Sequence, residues 1–133
     1  MIVLDASALL ELITGTELGL AVGERIRPYT VSVHAPHLVD VEVTQVLRRC
    51  VRTGLIGADR ARAALDHLAA LDMERYAHGP LLPRAWALRD NVSAYDGVYI
   101  ALAEALPAVL LTLDARLAGA TPVHRAVVEV IRR

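Results

Sequence analysis

The chain has 133 residues, enough for a single domain with its own core and short for two ordinary ones. Hydrophobic residues make up 55% of it, yet no unbroken apolar run reaches the roughly 18–20 residues of a membrane-spanning helix, so they belong to a core with some left for a partner surface. The net charge of -1 leaves nucleic-acid binding to a local arginine patch or to bound metal, and because all 14 cationic residues are Arg, lysine-based chemistry such as the P-loop and the Schiff base is excluded.

MIVLD, residues 1–5, is short, branched and continuously apolar up to its last residue, as a strand covered on both faces should be. It has no basic leader and carries Asp5 where a secretory signal needs an apolar stretch, so a cytoplasmic protein is expected. ASALLELI and TELGLAVGERIR have helical spacing, broken at Gly15 and closed at Pro28. TVSVH, residues 30–34, predicts a second strand, and after Pro36 a long helix is expected over residues 37–53, ending at Gly54. A second helix over 58–71 makes a helical hairpin with it. Cys50 reads as a small buried hydrophobe without a disulfide partner.

DMERYA, residues 72–77, reads as a short edge strand. LLPRAWALRDN and SAYDGVYIALAEAL are helical, the second stopping at Pro107, while AVLLTLD (108–114) and AVVEVIR near the C-terminus are strands. Strands alternating with helices imply crossover connections. The fold class is α/β, a three-layer α/β/α sandwich around a mainly parallel sheet.

Four carboxylates stand out against this pattern. Asp5 and Asp114 each end a predicted strand, and in an open parallel sheet ligands bind beyond the carboxyl ends of the strands. Each also precedes a helical pattern, where Asp is a preferred cap. Glu42 falls at the edge of the apolar arc formed by Val39, Val43, Val46, Leu47 and Cys50, whereas Asp40, Thr44 and Arg48 take the outer positions. Asp96 also lies at the edge of an apolar face, but Ser93-Ala-Tyr-Asp96 has capping-box spacing. Four such charges brought together would repel unless divalent cations neutralised them, and oxygen-only donors favour Mg²⁺ or Mn²⁺ over zinc. A zinc reading of His34 and His37 fails because Pro36 separates them and no third ligand lies nearby.

The segments V-L-D-A-S-A at the N-terminus, P-x-x-x-x-x-E-V from Pro36, S-A-Y-D-G-V-Y-I-A-L-A-E and L-L-T-L-D-A-R-L resemble, in order and spacing, those of PIN-domain ribonucleases of the VapC toxin type. Y-D-x-x-Y-x-A-L-A is the most specific of them, and the segment from Gly54 to Trp86 has no recognisable signature. The resemblance implies one PIN-like nuclease domain over residues 1–133 and a Mg²⁺- or Mn²⁺-dependent endoribonuclease. By the same resemblance Asp5, Glu42, Asp96 and Asp114 match the acidic positions that hold metal, and Ser7 and Thr112 match supporting hydroxyls. It further implies an RNA substrate and a cognate antitoxin protein, and the surplus of apolar residues adds the expectation of a homodimer.

Arg116 is a candidate RNA phosphate contact or an ion-pair partner of Asp114, and Arg84 with Arg89 could form a second phosphate-facing strip. Tyr95 and Tyr99 read as base-stacking rings or as core. Two other function classes stay open. One is a catalytically inactive PIN-like interaction module whose carboxylates are only caps; the other is a metal-dependent phosphatase, disfavoured because Ser7 stands where a D-x-D motif needs its second Asp.

Overall fold

Three apolar residues with no side chain facing water make the centre of the sheet: β1 is Ile2–Leu4, and burial of each such side chain contributes about 1.5–3 kcal/mol. The computed structural model describes residues 1–119 and 124–132. After β1 come α1 (Ala6–Thr14), α2 (Glu17–Ile26), β2 (Val33–Pro36), α3 (Leu38–Arg52), α4 (Ala58–Ala70) and β3 (Glu74–Tyr76). A 3-10 turn at Gly79–Leu81 leads into α5 (Leu82–Ala87), α6 (Ala94–Ala105), β4 (Val109–Thr112), α7 (Ala115–Gly119) and β5 (Val127–Val130). The strands form one sheet in the order β3-β2-β1-β4-β5, with every neighbouring pair parallel.

Helices α1, α3 and α4 pack against one another with α2 on α1, while α5 packs on α6 and α6 covers β1, β2 and β4. These are the two outer layers of the expected sandwich. The long apolar residues of all three layers, including Leu9, Val39, Val43, Tyr99, Ile100 and Leu110, meet in one core. No single helix among the described residues is long and apolar enough to cross a membrane.

The helix boundaries follow local chemistry. Gly15 ends α1 with φ at 72°, a left-handed conformation that glycine adopts without steric cost, and its N–H reaches back to the Glu11 and Leu12 carbonyls. Thr16 then caps α2 by accepting from the Gly19 N–H at 3.1 Å.

The second strand is displaced from residues 30–34 to Val33–Pro36. Pro36 tolerates a strand position because the pairing with β1 involves only Val33 and His34, so no ladder N–H is missed there. LLPRAWALRDN is helical only in part, over Gly79–Leu81 and Leu82–Ala87, and α7 is an element the sequence reading did not assign. Cys50 is half-buried, less enclosed than the buried hydrophobe expected from its helical pattern.

Candidate active site

Strand order determines where the site forms. The chain runs outward from β1 through β2 to β3 on one side and continues with β4 and β5 on the other, so the topological switch lies between β1 and β4. Leu4 pairs with Leu111, and Asp5 and Asp114 therefore follow the carboxyl ends of two adjacent parallel strands.

Asp5 is only 7% exposed and has both oxygens engaged. Oδ1 accepts from Ser7 Oγ at 2.6 Å and from the Ala8 N–H at 3.0 Å, and Oδ2 accepts from the Thr112 hydroxyl. The bond to Ala8 is a helix cap, so the capping role and a place in the acidic group coexist in one side chain. Thr112, fully buried, also accepts from the Asp114 N–H at 2.9 Å, while Ser7 accepts from the Leu113 N–H at 3.0 Å. Two hydroxyls thus tie the end of β1 to the end of β4.

Asp114 turns to Arg116, which donates through Nε and Nη2, the shortest contact being 2.7 Å. This is the ion pair anticipated as an alternative to a phosphate contact. The Arg116 side chain is 86% exposed, so the pair is open to exchange with other partners.

Glu42 on α3 is half-buried, as its place at the edge of the apolar arc predicts, and its Oε1 accepts from the Tyr99 hydroxyl at 2.6 Å. Tyr99 lies on α6 three residues after Asp96, so one helix carries the phenol and the fourth carboxylate on neighbouring positions of one face. Ser93 caps that helix by accepting from the Asp96 N–H at 3.1 Å.

The electrostatics join the four groups. Burial pushes Asp5 above the usual carboxylate range, against hydrogen bonds from Ser7, Thr112 and Ala8, and Asp114 adds to the push. Burial also raises Glu42, with the Tyr99 bond opposing and Asp96 and Asp5 adding, and it raises Asp96 with the help of Asp114 and Asp5. Asp114 alone is held low, chiefly by its hydrogen bond from Arg116. A site in which carboxylates raise one another's proton affinity is one that a cation would relieve.

Among the described residues no three His, Cys, Asp or Glu side chains draw together as a ready metal cage. The donor set still fits Mg²⁺ or Mn²⁺. It is all oxygen and strongly anionic, and Mg²⁺ commonly keeps several waters and takes only one or two carboxylates together with substrate phosphate.

Other candidates are committed elsewhere. Arg84 pairs with Glu104 at 2.9 Å and Arg89 stacks 4.6 Å over Trp86, so each already has a partner on the protein. Asp40, expected on the outer face, is half-buried and paired with Arg75 at 2.8 Å. Tyr95 is exposed and Tyr99 buried, so the two rings separate. His34 bonds Tyr76 and Ser32, each at 2.7 Å, and His37 is exposed at the start of α3, which leaves no zinc pair. The residue the sequence reading missed in the site is Tyr99: a buried phenol needs a hydrogen-bond partner, and its position one turn after Asp96 was the available signal.

The model of the PIN domain family matches residues 2–121. Ribonuclease VapC1 of Mycobacterium tuberculosis is 44% identical over 119 residues, 89% of each chain, and Ribonuclease VapC12 of the same organism is 40% identical over 131 residues, 98% of this chain and 99% of that one. A solved chain from a toxin-antitoxin complex of Klebsiella pneumoniae shares the fold with a TM-score of 0.69 at 17% identity, covering 100% of this chain and 99% of its own. The chain belongs to the PIN-domain family, with ribonucleases of the VapC type as its relatives.

Proposed function

We propose that this protein is a metal-dependent endoribonuclease and the toxin of a toxin-antitoxin pair. The observation that carries the reading is the pair of carboxylates, Asp5 and Asp114, at the strand ends of the switch point, linked by two hydroxyls and electrostatically coupled to Asp96 and Glu42 from two further segments. The 40–44% identity to named ribonucleases over nearly the whole chain supports the substrate class.

In this reading Asp5, Asp96 and Asp114 hold Mg²⁺ or Mn²⁺, with Glu42 as a fourth ligand or as the group that orients water. A bound divalent cation supplies charge neutralisation at the scissile phosphodiester and a nucleophilic water at neutral pH. Ser7 and Thr112 fix the plane of the Asp5 carboxylate, and Thr112 at the same time holds the backbone that presents Asp114. Were metal bound, Asp114 would be one of the carboxylates holding it, and the exposed Arg116 would be available to contact an RNA phosphate. Residues 1–133 act as one nuclease domain, in the cytoplasm where its substrate is found.

A cognate antitoxin protein holds the enzyme inactive, in keeping with the fold neighbour solved as a toxin-antitoxin complex. The active form is a homodimer, supported by the exposed Leu82, Trp86 and Tyr95 on α5 and α6. The test compares RNA cleavage by wild type and Asp5→Asn in Mg²⁺, Mn²⁺ and EDTA. Cleavage by wild type that is lost in the variant and in EDTA is expected. Equal activity of the two proteins, or activity insensitive to chelation, refutes the reading.

A further inference from the structure

We infer that Tyr99 is a positioning residue for the candidate metal site, acting through its hydrogen bond to Glu42 and not only as a core ring. The inference rests on the nuclease reading above and assigns a role to a side chain outside the four carboxylates.

The geometry is specific. Tyr99 is 2% exposed, so its ring has no freedom to swing, and its hydroxyl donates a short hydrogen bond to Glu42 Oε1 at 2.6 Å. Glu42 is a long side chain at a half-buried position of α3, where an untethered carboxylate would sample several rotamers. The phenol removes that freedom. It occupies one oxygen and leaves Oε2, which has no hydrogen bond among the described residues, open to solvent or ligand in a carboxylate electrostatically coupled to Asp96 and Asp5.

The donor's place on α6 adds a second constraint. Tyr99 and Asp96 are three residues apart on one rigid helix, so the helix that presents Asp96 also anchors Glu42, contributed by a segment 57 residues away. Any movement of α6 shifts both carboxylates together. Removing the hydroxyl frees Glu42 from this frame while leaving the packed ring in place. Buried partners of metal-holding carboxylates typically change metal affinity by about 10–100-fold when removed.

The experiment uses the full chain as wild type, Tyr99→Phe, Glu42→Gln and the double variant. Mn²⁺ binding is followed by the electron paramagnetic resonance of the free ion, with thermal melting and RNA cleavage recorded on the same preparations. Tyr99→Phe is expected to weaken Mn²⁺ binding at least about tenfold, Glu42→Gln to do the same, and the double variant to be no more than about twofold weaker than Glu42→Gln. Mn²⁺ binding by Tyr99→Phe equal to wild type overturns the inference, as does a loss that adds in full to that of Glu42→Gln. Wild type that neither binds Mn²⁺ nor cleaves RNA overturns the nuclease reading and this inference together. Wild type that does both, with Tyr99→Phe indistinguishable from it, overturns this inference alone.

Discussion

Replacing Thr112 by Val keeps the shape of the side chain and deletes one hydroxyl from the centre of the molecule. That hydroxyl donates to Asp5 Oδ2 and accepts from the Asp114 N–H at 2.9 Å, in a residue with no exposed surface. A hydrogen bond to a charged group contributes about 1.5–3 kcal/mol, and leaving the partly buried Asp114 N–H without an acceptor costs about another 1 kcal/mol. Thr112→Val is therefore expected to destabilise by about 3 kcal/mol, a large share of the roughly 5–15 kcal/mol that holds an ordinary domain together.

For a chain of this length the loss corresponds to a fall in Tm of about 10–15 °C. Circular dichroism melts and guanidinium titrations provide the assay, with Thr112→Ser as control. Serine keeps the hydroxyl and loses one buried methyl, so it is expected to cost only about 1 kcal/mol. A Val variant within about 0.5 kcal/mol of wild type, or a Ser variant as unstable as the Val variant, would show that the hydroxyl bridge between β1 and β4 contributes nothing and that only packing matters.

The pH dependence of stability separates the raised carboxylates from the lowered ones. Asp5, Glu42 and Asp96 bind protons more tightly when folded, so their stabilising contribution is complete below the ordinary carboxylate range and is lost as pH rises through their folded values. Asp114 and Glu104 run the other way, stabilising above that range and losing the effect as pH falls through their lowered values. Asp96→Asn is accordingly expected to gain stability over wild type as pH rises from about 4 to 7 and to match it near pH 3, measured by guanidinium unfolding. Mn²⁺ at about 100 times its dissociation constant should stabilise wild type by about 2.7 kcal/mol at neutral pH and leave Asp5→Asn unmoved in the same melts. Arg116→Ala is expected to bind Mn²⁺ more tightly, because Asp114 no longer has to leave its partner, and to raise KM for RNA. Gly97→Ala places a methyl 3.1 Å from Cα and Cβ of Ala85 where α6 crosses α5, so a loss of about 1–3 kcal/mol is expected in denaturant titrations.

What the residues reveal before folding divides along physical lines. The apolar runs of β1 and β4 and the helical hairpin of α3 and α4 are legible because period and punctuation act locally. The shift of β2 onto Pro36 was not legible, since the tolerance for proline there depends on where pairing with β1 ends. Three of the four carboxylates are visible as charges at strand ends or helix starts, and Glu42 as a charge beside an apolar arc. Their partners are not visible, because the bonds from Thr112 to Asp5 and from Tyr99 to Glu42 join residues 107 and 57 positions apart. Nor could spacing foresee that Arg84, Arg89 and Asp40 are held by neighbours on other elements or in the adjacent turn.

The central position of β1 has a consequence for how the protein is made. The strand is synthesised well before its neighbour β4, and the Asp5–Thr112 bond spans 107 residues. A growing chain therefore holds Ile2–Leu4 without its β4 partner until β4 is made, and contacts this remote close late. A nascent chain shorter than the segment through Asp114 lacks part of the acidic group altogether. On the nuclease reading, a chain terminated before Asp114 lacks one of the four carboxylates, so the fold delays a hazardous activity until β4 and the residues just after it have been made.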